Sequence, residues 1–134
     1  MYDIIIIGSG IVGSLVAYDL SRYRLKVAVL EKDNDVANGT TMANSAIVHA
    51  GYDPEDGTMK ALLNVRGARM YPQLCRDLHC MIKNTGAFIA AVGEEEEQTL
   101  DVLAARAENR DIAFELLDGD TARGLEQNLS DNVT

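Results

Sequence analysis

Long apolar runs, a basic leader and a paired set of cysteines are all missing from this 134-residue chain. No apolar stretch approaches the about 20 residues that a bilayer-spanning helix needs, which excludes an integral helical membrane protein. An Asp stands at position 3 and no basic segment precedes the first apolar run, so the N-terminus lacks the form of a secretory leader. Positive charge is scarce: 12 Lys and Arg face 21 Asp and Glu, for a net charge of −9. Non-specific binding to nucleic acid or to anionic lipid needs positive charge, so both classes of partner are disfavoured. The two cysteines, Cys75 and Cys80, lie five apart in a stretch that reads as helical. Five residues turn a helix through about 500°, so the side chains diverge and a disulfide would strain the backbone. Two reduced, partly buried thiols are expected. No second Cys/His pair exists to complete a metal site, so no metal is expected. The missing leader and the reduced thiols point to the cytoplasm. With 47% hydrophobic and 25% charged residues the chain has the balance of a folded protein of one domain's length, which argues against disorder.

What is present begins with Tyr2-Asp3-Ile4-Ile5-Ile6-Ile7, a β-branched run suited to a strand buried on both faces, as in a parallel sheet. Gly8-Ser9-Gly10-Ile11-Val12-Gly13 follows. From there to about Tyr23 the residues Ile11, Leu15, Val16 and Leu20 recur at helical spacing. Lys26–Leu30 is a second short strand, and the whole has the size of a βαβ crossover. Residues 31–57, rich in Gly, Asn, Asp and Thr, form a long loop of the kind that usually carries function. Residues 58–80 read as a helix that Pro72 should kink or interrupt. Residues 86–92 look like a strand. Glu94 to Glu97 opens a helix to about Asn109, with its acids at the positive end of the dipole. Ala113–Leu117 reads as another strand, and Asp118 to Gln127 as a short helix capped by Asp118 or Asp120. A doubly wound dinucleotide domain wants about five or six strands, more than this inventory holds. The chain therefore reads as the N-terminal piece of a longer protein.

Gly8, Gly10 and Gly13 fit G-x-G-x-x-G. The first glycine permits the tight turn from strand to helix. The second lets a pyrophosphate approach the backbone. The third lets the helix pack close against the strand. The helix N-terminus offers N–H groups and a positive dipole end to phosphate. Glu31 follows the second strand directly, where a carboxylate accepts hydrogen bonds from adenosine ribose hydroxyls. An acid there repels a 2′-phosphate, which disfavours NADP. On this motif alone NAD and FAD both remain open.

The loop narrows the choice. Gly39-Thr40-Thr41-Met42-Ala43-Asn44-Ser45-Ala46-Ile47-Val48-His49-Ala50-Gly51-Tyr52-Asp53-Pro54 resembles the corresponding loop of the FAD-dependent D-amino-acid oxidase-like superfamily. Within it, the likeness is greatest to bacterial FAD-dependent glycerol-3-phosphate dehydrogenases and the related L-2-hydroxyglutarate oxidases. Gly57–Ala61, Asn64–Gly67, Gly86–Ala90 and Leu116–Leu129 continue it, with Gln127 where relatives often have Pro. The resemblance implies an α/β fold with a Rossmann-like FAD-binding βαβ unit and the start of a mixed-sheet substrate domain, divided as residues 1–80 and 81–134. It implies FAD as the cofactor. Gly8, Ser9, Gly10 and Gly13 would hold the pyrophosphate, and Glu31 the ribose beside Lys32. Thr40 and Thr41 would present donors to the phosphates, with Asn44 and Ser45 along the path toward the flavin. His49 would take the proton of a substrate hydroxyl; the alternative is a packing residue that hydrogen-bonds the flavin or a backbone group. His79, at a helix end, is expected at the surface.

The function so implied is oxidation of sn-glycerol 3-phosphate to dihydroxyacetone phosphate in a longer parent enzyme. L-2-hydroxyglutarate is the alternative substrate, and a quinone or oxygen the electron acceptor. A quinone acceptor would imply peripheral attachment of the parent at the inner face of the membrane. A reading of another class, an NAD-binding sensor module, requires a complete sheet within this chain. The chain alone is expected to be inactive.

Overall fold

The computed structural model describes residues 1–134. Strand β1 (Ile4–Ile7), helix α1 (Ile11–Leu20) and strand β2 (Val27–Leu30) form the expected crossover. β1 and β2 pair in parallel, with Ile4 opposite Val27 and Ile7 opposite Leu30. Asp3 fixes the open end of this ladder. Its N–H donates to the Lys26 carbonyl at 2.9 Å, and its Oδ2 accepts from the Lys26 N–H at 2.7 Å. At the other end the Gly8 N–H reaches the Leu30 carbonyl at 2.7 Å.

The run of isoleucines is not buried on both faces, as the sequence led one to expect. Ile4 and Ile6 are half-buried, while Ile5 is 56% and Ile7 89% exposed. The reason is the size of the sheet: it has two strands, and α1 packs on the Ile6 face. A complete sheet within the chain, which the NAD-sensor reading required, is absent.

By its contacts the chain divides into two compact units, Met1–Ile47 and Val48–Thr134. The sequence division at residue 80 is one of expected role rather than of contacts. The second unit holds α2 (Met59–Asp77), α3 (Glu94–Asn109) and α4 (Gly119–Leu125). Thr58 caps α2: its Oγ1 accepts from the Ala61 N–H at 3.2 Å and donates to the Glu55 carbonyl at 2.7 Å. Pro72 does not interrupt α2, which runs through it for 19 residues. A proline removes one i→i−4 bond, here the bond to Ala68, and the turns on either side hold. Cys75 is buried and Cys80 exposed, both unbridged. His79 lies exposed just past the helix end. In α3 the Glu96 carboxylate reaches back to accept the Val92 N–H at 2.7 Å. Asp118 caps α4 through the Thr121 N–H at 2.8 Å.

Two expected strands are absent. Residues 86–92 and 113–117 run as irregular chain. Both are apolar enough for a strand, but a strand exists only as one side of a ladder, and the one sheet here belongs to β1 and β2. The start of a mixed sheet in 81–134 is therefore not formed within this chain. The buried apolar residues are small or medium in size: Ala61, Cys75, Ala91, Ala107, Ala122 and Val133. No large side chain is fully buried.

Replacing Thr58 by Ala removes the cap of the longest helix, and such a loss typically costs about 1 kcal/mol. Denaturant unfolding should show that loss for Thr58→Ala and little change for Thr58→Ser. Equal destabilisation by both would exclude the hydroxyl as its cause.

Candidate functional site

The glycine turn between β1 and α1 explains each of its three glycines differently. Gly8 has φ +98°, a conformation that side chains disfavour. A Cβ on Gly13 would collide with the Gly8 carbonyl oxygen and lie 3.3 Å from Ile6 Cγ2, so only glycine lets α1 cross β1 this closely. A Cβ on Gly10 would project to 3.2 Å from the Thr41 hydroxyl, on the side where a long loop crosses the turn.

Gly10 is also the N-cap of α1, and no acidic side chain occupies the first turn. The positive end of the helix dipole is thus left without a counter-charge of its own. Thr41 Oγ1 accepts one of the N–H groups there, that of Ile11, at 3.0 Å. The loop is held to the turn a second time, where the Ala37 N–H donates to the Ser9 carbonyl at 3.2 Å. The Ser14 hydroxyl is a second donor to that carbonyl, at 3.0 Å.

Glu31 joins the two strand ends. Its Oε2 accepts from the Ser9 N–H at 2.7 Å and from the Ser9 hydroxyl at 2.8 Å. Its Oε1 accepts from the N–H groups of Lys32 at 2.8 Å and Asp33 at 3.1 Å. The Ser9 N–H, then that of Asp33, the Ser9 hydroxyl and the Lys32 N–H all favour the charged form and lower its pKa from 4.5 to about 2. A carboxylate offers about four acceptor positions, and the protein's own donors use them all. An incoming ribose would exchange with some of these bonds rather than fill a vacancy.

Beside this turn lies a cleft of about 390 Å³. Gly8, Gly10, Glu31, Lys32, Thr40 and Thr41 line it, together with Asn38 and Gly39. Ser9 is buried at 4% exposure, on the far side of the bonds to Glu31. Gly13 supports the crossing without facing the cleft. Asn44 does not line it either. Its amide donates to the Thr41 carbonyl and its Oδ1 accepts the Ala46 N–H at 2.6 Å, so it shapes the end of the loop. Ser45 is exposed. Six of the ten residues singled out for a dinucleotide thus meet in one cleft. The missing Cβ at Gly10, a first helical turn that carries no acidic residue of its own and the Lys32 side chain suit an anionic diphosphate.

His49 belongs to the second unit. It lines a smaller pocket of about 130 Å³ with Gly51, Tyr52, Asp53, Pro54, Lys60 and Asn64. The segment forming that wall is held by residues that sequence reasoning passed over. Arg110, the C-cap of α3, donates to the carbonyls of Gly51 and Pro54 and to the Asp56 carboxylate. Arg106 donates to the Asp53 carbonyl at 2.7 Å. No local pattern marks either arginine, because their partners lie more than 50 residues away.

Comparison with known proteins agrees with these features. The FAD dependent oxidoreductase family matches residues 3–134. The chain is 42% identical over 134 residues to a glycerol 3-phosphate dehydrogenase from Caloramator mitchellensis, covering 99% of this chain and 28% of that protein. It is 36% identical over 130 residues to the mitochondrial L-2-hydroxyglutarate dehydrogenase of Caenorhabditis briggsae, covering 93% and 30%. Among solved structures it is similar to the dithionite-reduced L-α-glycerophosphate oxidase from Mycoplasma pneumoniae with FAD bound. The TM-score there is 0.86 at 28% identity, over 98% of this chain and 35% of that one. The chain thus spans about a third or less of the length of these relatives.

The bonds to Glu31 carry a pH signature. A carboxylate whose pKa is depressed on folding adds stability above its unfolded value and loses it as pH falls through the folded value. For Glu31 that window runs from 4.5 down to about 2. The unfolding midpoint of the wild type should therefore fall more steeply across this window than that of Glu31→Gln. Parallel curves would contradict the assignment.

Proposed function

The chain belongs to the FAD-dependent oxidoreductase family, and on that premise we propose that it supplies the FAD-anchoring segment of an enzyme oxidising sn-glycerol 3-phosphate to dihydroxyacetone phosphate. The observation that carries the reading is the cleft in which Gly10, Glu31, Lys32 and Thr41 converge at the N-terminus of α1. In this proposal the N–H groups of the first turn, with Thr40 and Thr41, hold the pyrophosphate. Glu31 holds the ribose by giving up part of its bonding to Ser9. Asn44 and Ser45 hold the loop that leaves the phosphate region. What the bound flavin supplies is an acceptor for the hydride of the carbinol carbon. The chain's own contribution to that step is His49, which takes the hydroxyl proton at a ring nitrogen; Lys60 and Asn64 share its pocket.

The whole protein is proposed to be longer than the chain, since the relatives are more than three times its length. The exposure of Ile5 and Ile7 on one face of the sheet supports this, because an isoleucine gains stability only when covered. On this reading residues 1–80 are the first stretch of the cofactor domain and 81–134 begin the substrate domain. The likeness to an L-2-hydroxyglutarate dehydrogenase keeps that acid as the second substrate to test. No helix of the chain is long and apolar enough to cross a membrane.

The full-length protein should show the visible bands of oxidised flavin. Anaerobic glycerol 3-phosphate should bleach them, while bleaching by L-2-hydroxyglutarate alone would transfer the assignment to that substrate. Peroxide formation in air marks oxygen as the acceptor, and its absence with turnover on a quinone marks the alternative. Gly10→Val places a branched side chain against Thr41, in the cleft proposed for the phosphate. It should abolish flavin retention with the helical circular dichroism intact; full retention would refute the cleft as the cofactor site. His49→Asn should lower turnover by at least about 100-fold, the scale of a lost general base, with flavin still bound. Wild-type turnover would exclude His49 as the base.

A further inference from the structure

One short segment of the second unit has its backbone acceptors taken by a single neighbouring helix end. Arg110 uses both terminal nitrogens: Nη1 donates to the Gly51 carbonyl, and Nη2 to the Pro54 carbonyl at 2.6 Å and to the Asp56 carboxylate. Arg106, one turn earlier on α3, takes the Asp53 carbonyl. The Arg110 side chain is only 10% exposed, whereas its carboxylate partner is 62% exposed. An ion pair to so exposed an acid adds little. A guanidinium so nearly buried is tolerated because both its terminal nitrogens are hydrogen-bonded. The carbonyl contacts therefore matter more than the charge.

The arginine is itself held from behind. Arg69 of α2 donates to the Arg110 carbonyl at 2.8 Å. On the other side of the segment Gly51 has φ +105°, and a Cβ there would lie 2.7 Å from Val65 Cγ2 of α2. Residues 51–56 are thus fixed between α2 and the end of α3. Two residues before Gly51 stands His49, in the pocket whose wall this segment forms.

We propose that Arg110 is a positioning residue for His49. By holding the Gly51 and Pro54 carbonyls it sets where the imidazole stands in its pocket. This rests on the reading of His49 as the base. A planar fork bonding acceptors in fixed directions does this, and a lysine ammonium, a single point of charge, does not. A misplacement of about 1 Å from a change remote from the chemistry can cost about 100-fold in rate.

The test uses the full-length flavin-loaded protein with Arg110→Met, Arg110→Lys and Asp56→Asn. Flavin content per chain, amide exchange in peptides covering 50–57, and kcat and KM with their pH profiles are measured together. Arg110→Met should keep its flavin, exchange faster across 50–57, and lose about 10- to 100-fold in kcat with KM little changed. Arg110→Lys should fall between it and the wild type, and Asp56→Asn should match the wild type. Wild-type exchange or wild-type kcat in Arg110→Met would overturn the positioning role alone. So would a loss of kcat that only tracks loss of flavin. Wild-type turnover in His49→Asn would overturn the reading of His49 itself, and the positioning role with it.

Discussion

A single carboxylate holds the first unit in the arrangement that matters. Glu31 stands at the end of β2 and accepts hydrogen bonds from both the backbone and the hydroxyl of Ser9, in the turn that follows β1. The parallel ladder brings those strand ends side by side, and Glu31 converts that adjacency into a fixed turn. Gly8 can then fold at positive φ, and Gly13 can let α1 cross close over β1. Charged acceptors of backbone N–H groups form the stronger class of hydrogen bond. The same carboxylate faces the cleft. In the proposed function, bracing the turn and meeting the ribose thus fall to one group, and binding would trade one for the other.

Much of this first unit was legible because its information is local. A β-branched run, three spaced glycines, a helical period and an acid after the second strand lie within about thirty residues, the span of one crossover. The helices at 59–77, 94–109 and 119–125 were legible for the same reason: periodicity, a cluster of acids and a capping Asp act over one or two turns. Residues 86–92 and 113–117 misled because their composition speaks for a strand while their partners do not exist in the chain. Pro72 does not interrupt α2, since a helix of 19 residues tolerates one missing bond.

The site divides the same way. Gly8, Gly10, Glu31, Lys32, Thr40 and Thr41 share a cleft because the loop that carries the threonines returns to the turn and is tied there by Ile11 and Ala37. Nothing in the composition of the loop reveals that Asn44 serves its shape rather than the cleft. Arg106 and Arg110 were invisible because an arginine in the last turn of a polar helix, or just after it, is ordinary in sequence. Their meaning lies in carbonyls more than 50 residues earlier. A tertiary bond from a side chain to a distant backbone carbonyl leaves no residue-type pattern at its acceptor end.

A crystal structure of the full-length protein loaded with FAD tests the central claim most directly. The expected result puts the pyrophosphate over the N–H groups of the Gly10–Gly13 turn. It also puts an adenosine ribose hydroxyl within hydrogen-bond distance of Glu31, in place of one of the donors that carboxylate now accepts. A diphosphate bound elsewhere, with Glu31 still closed on Ser9 and no contact to the sugar, would contradict the account.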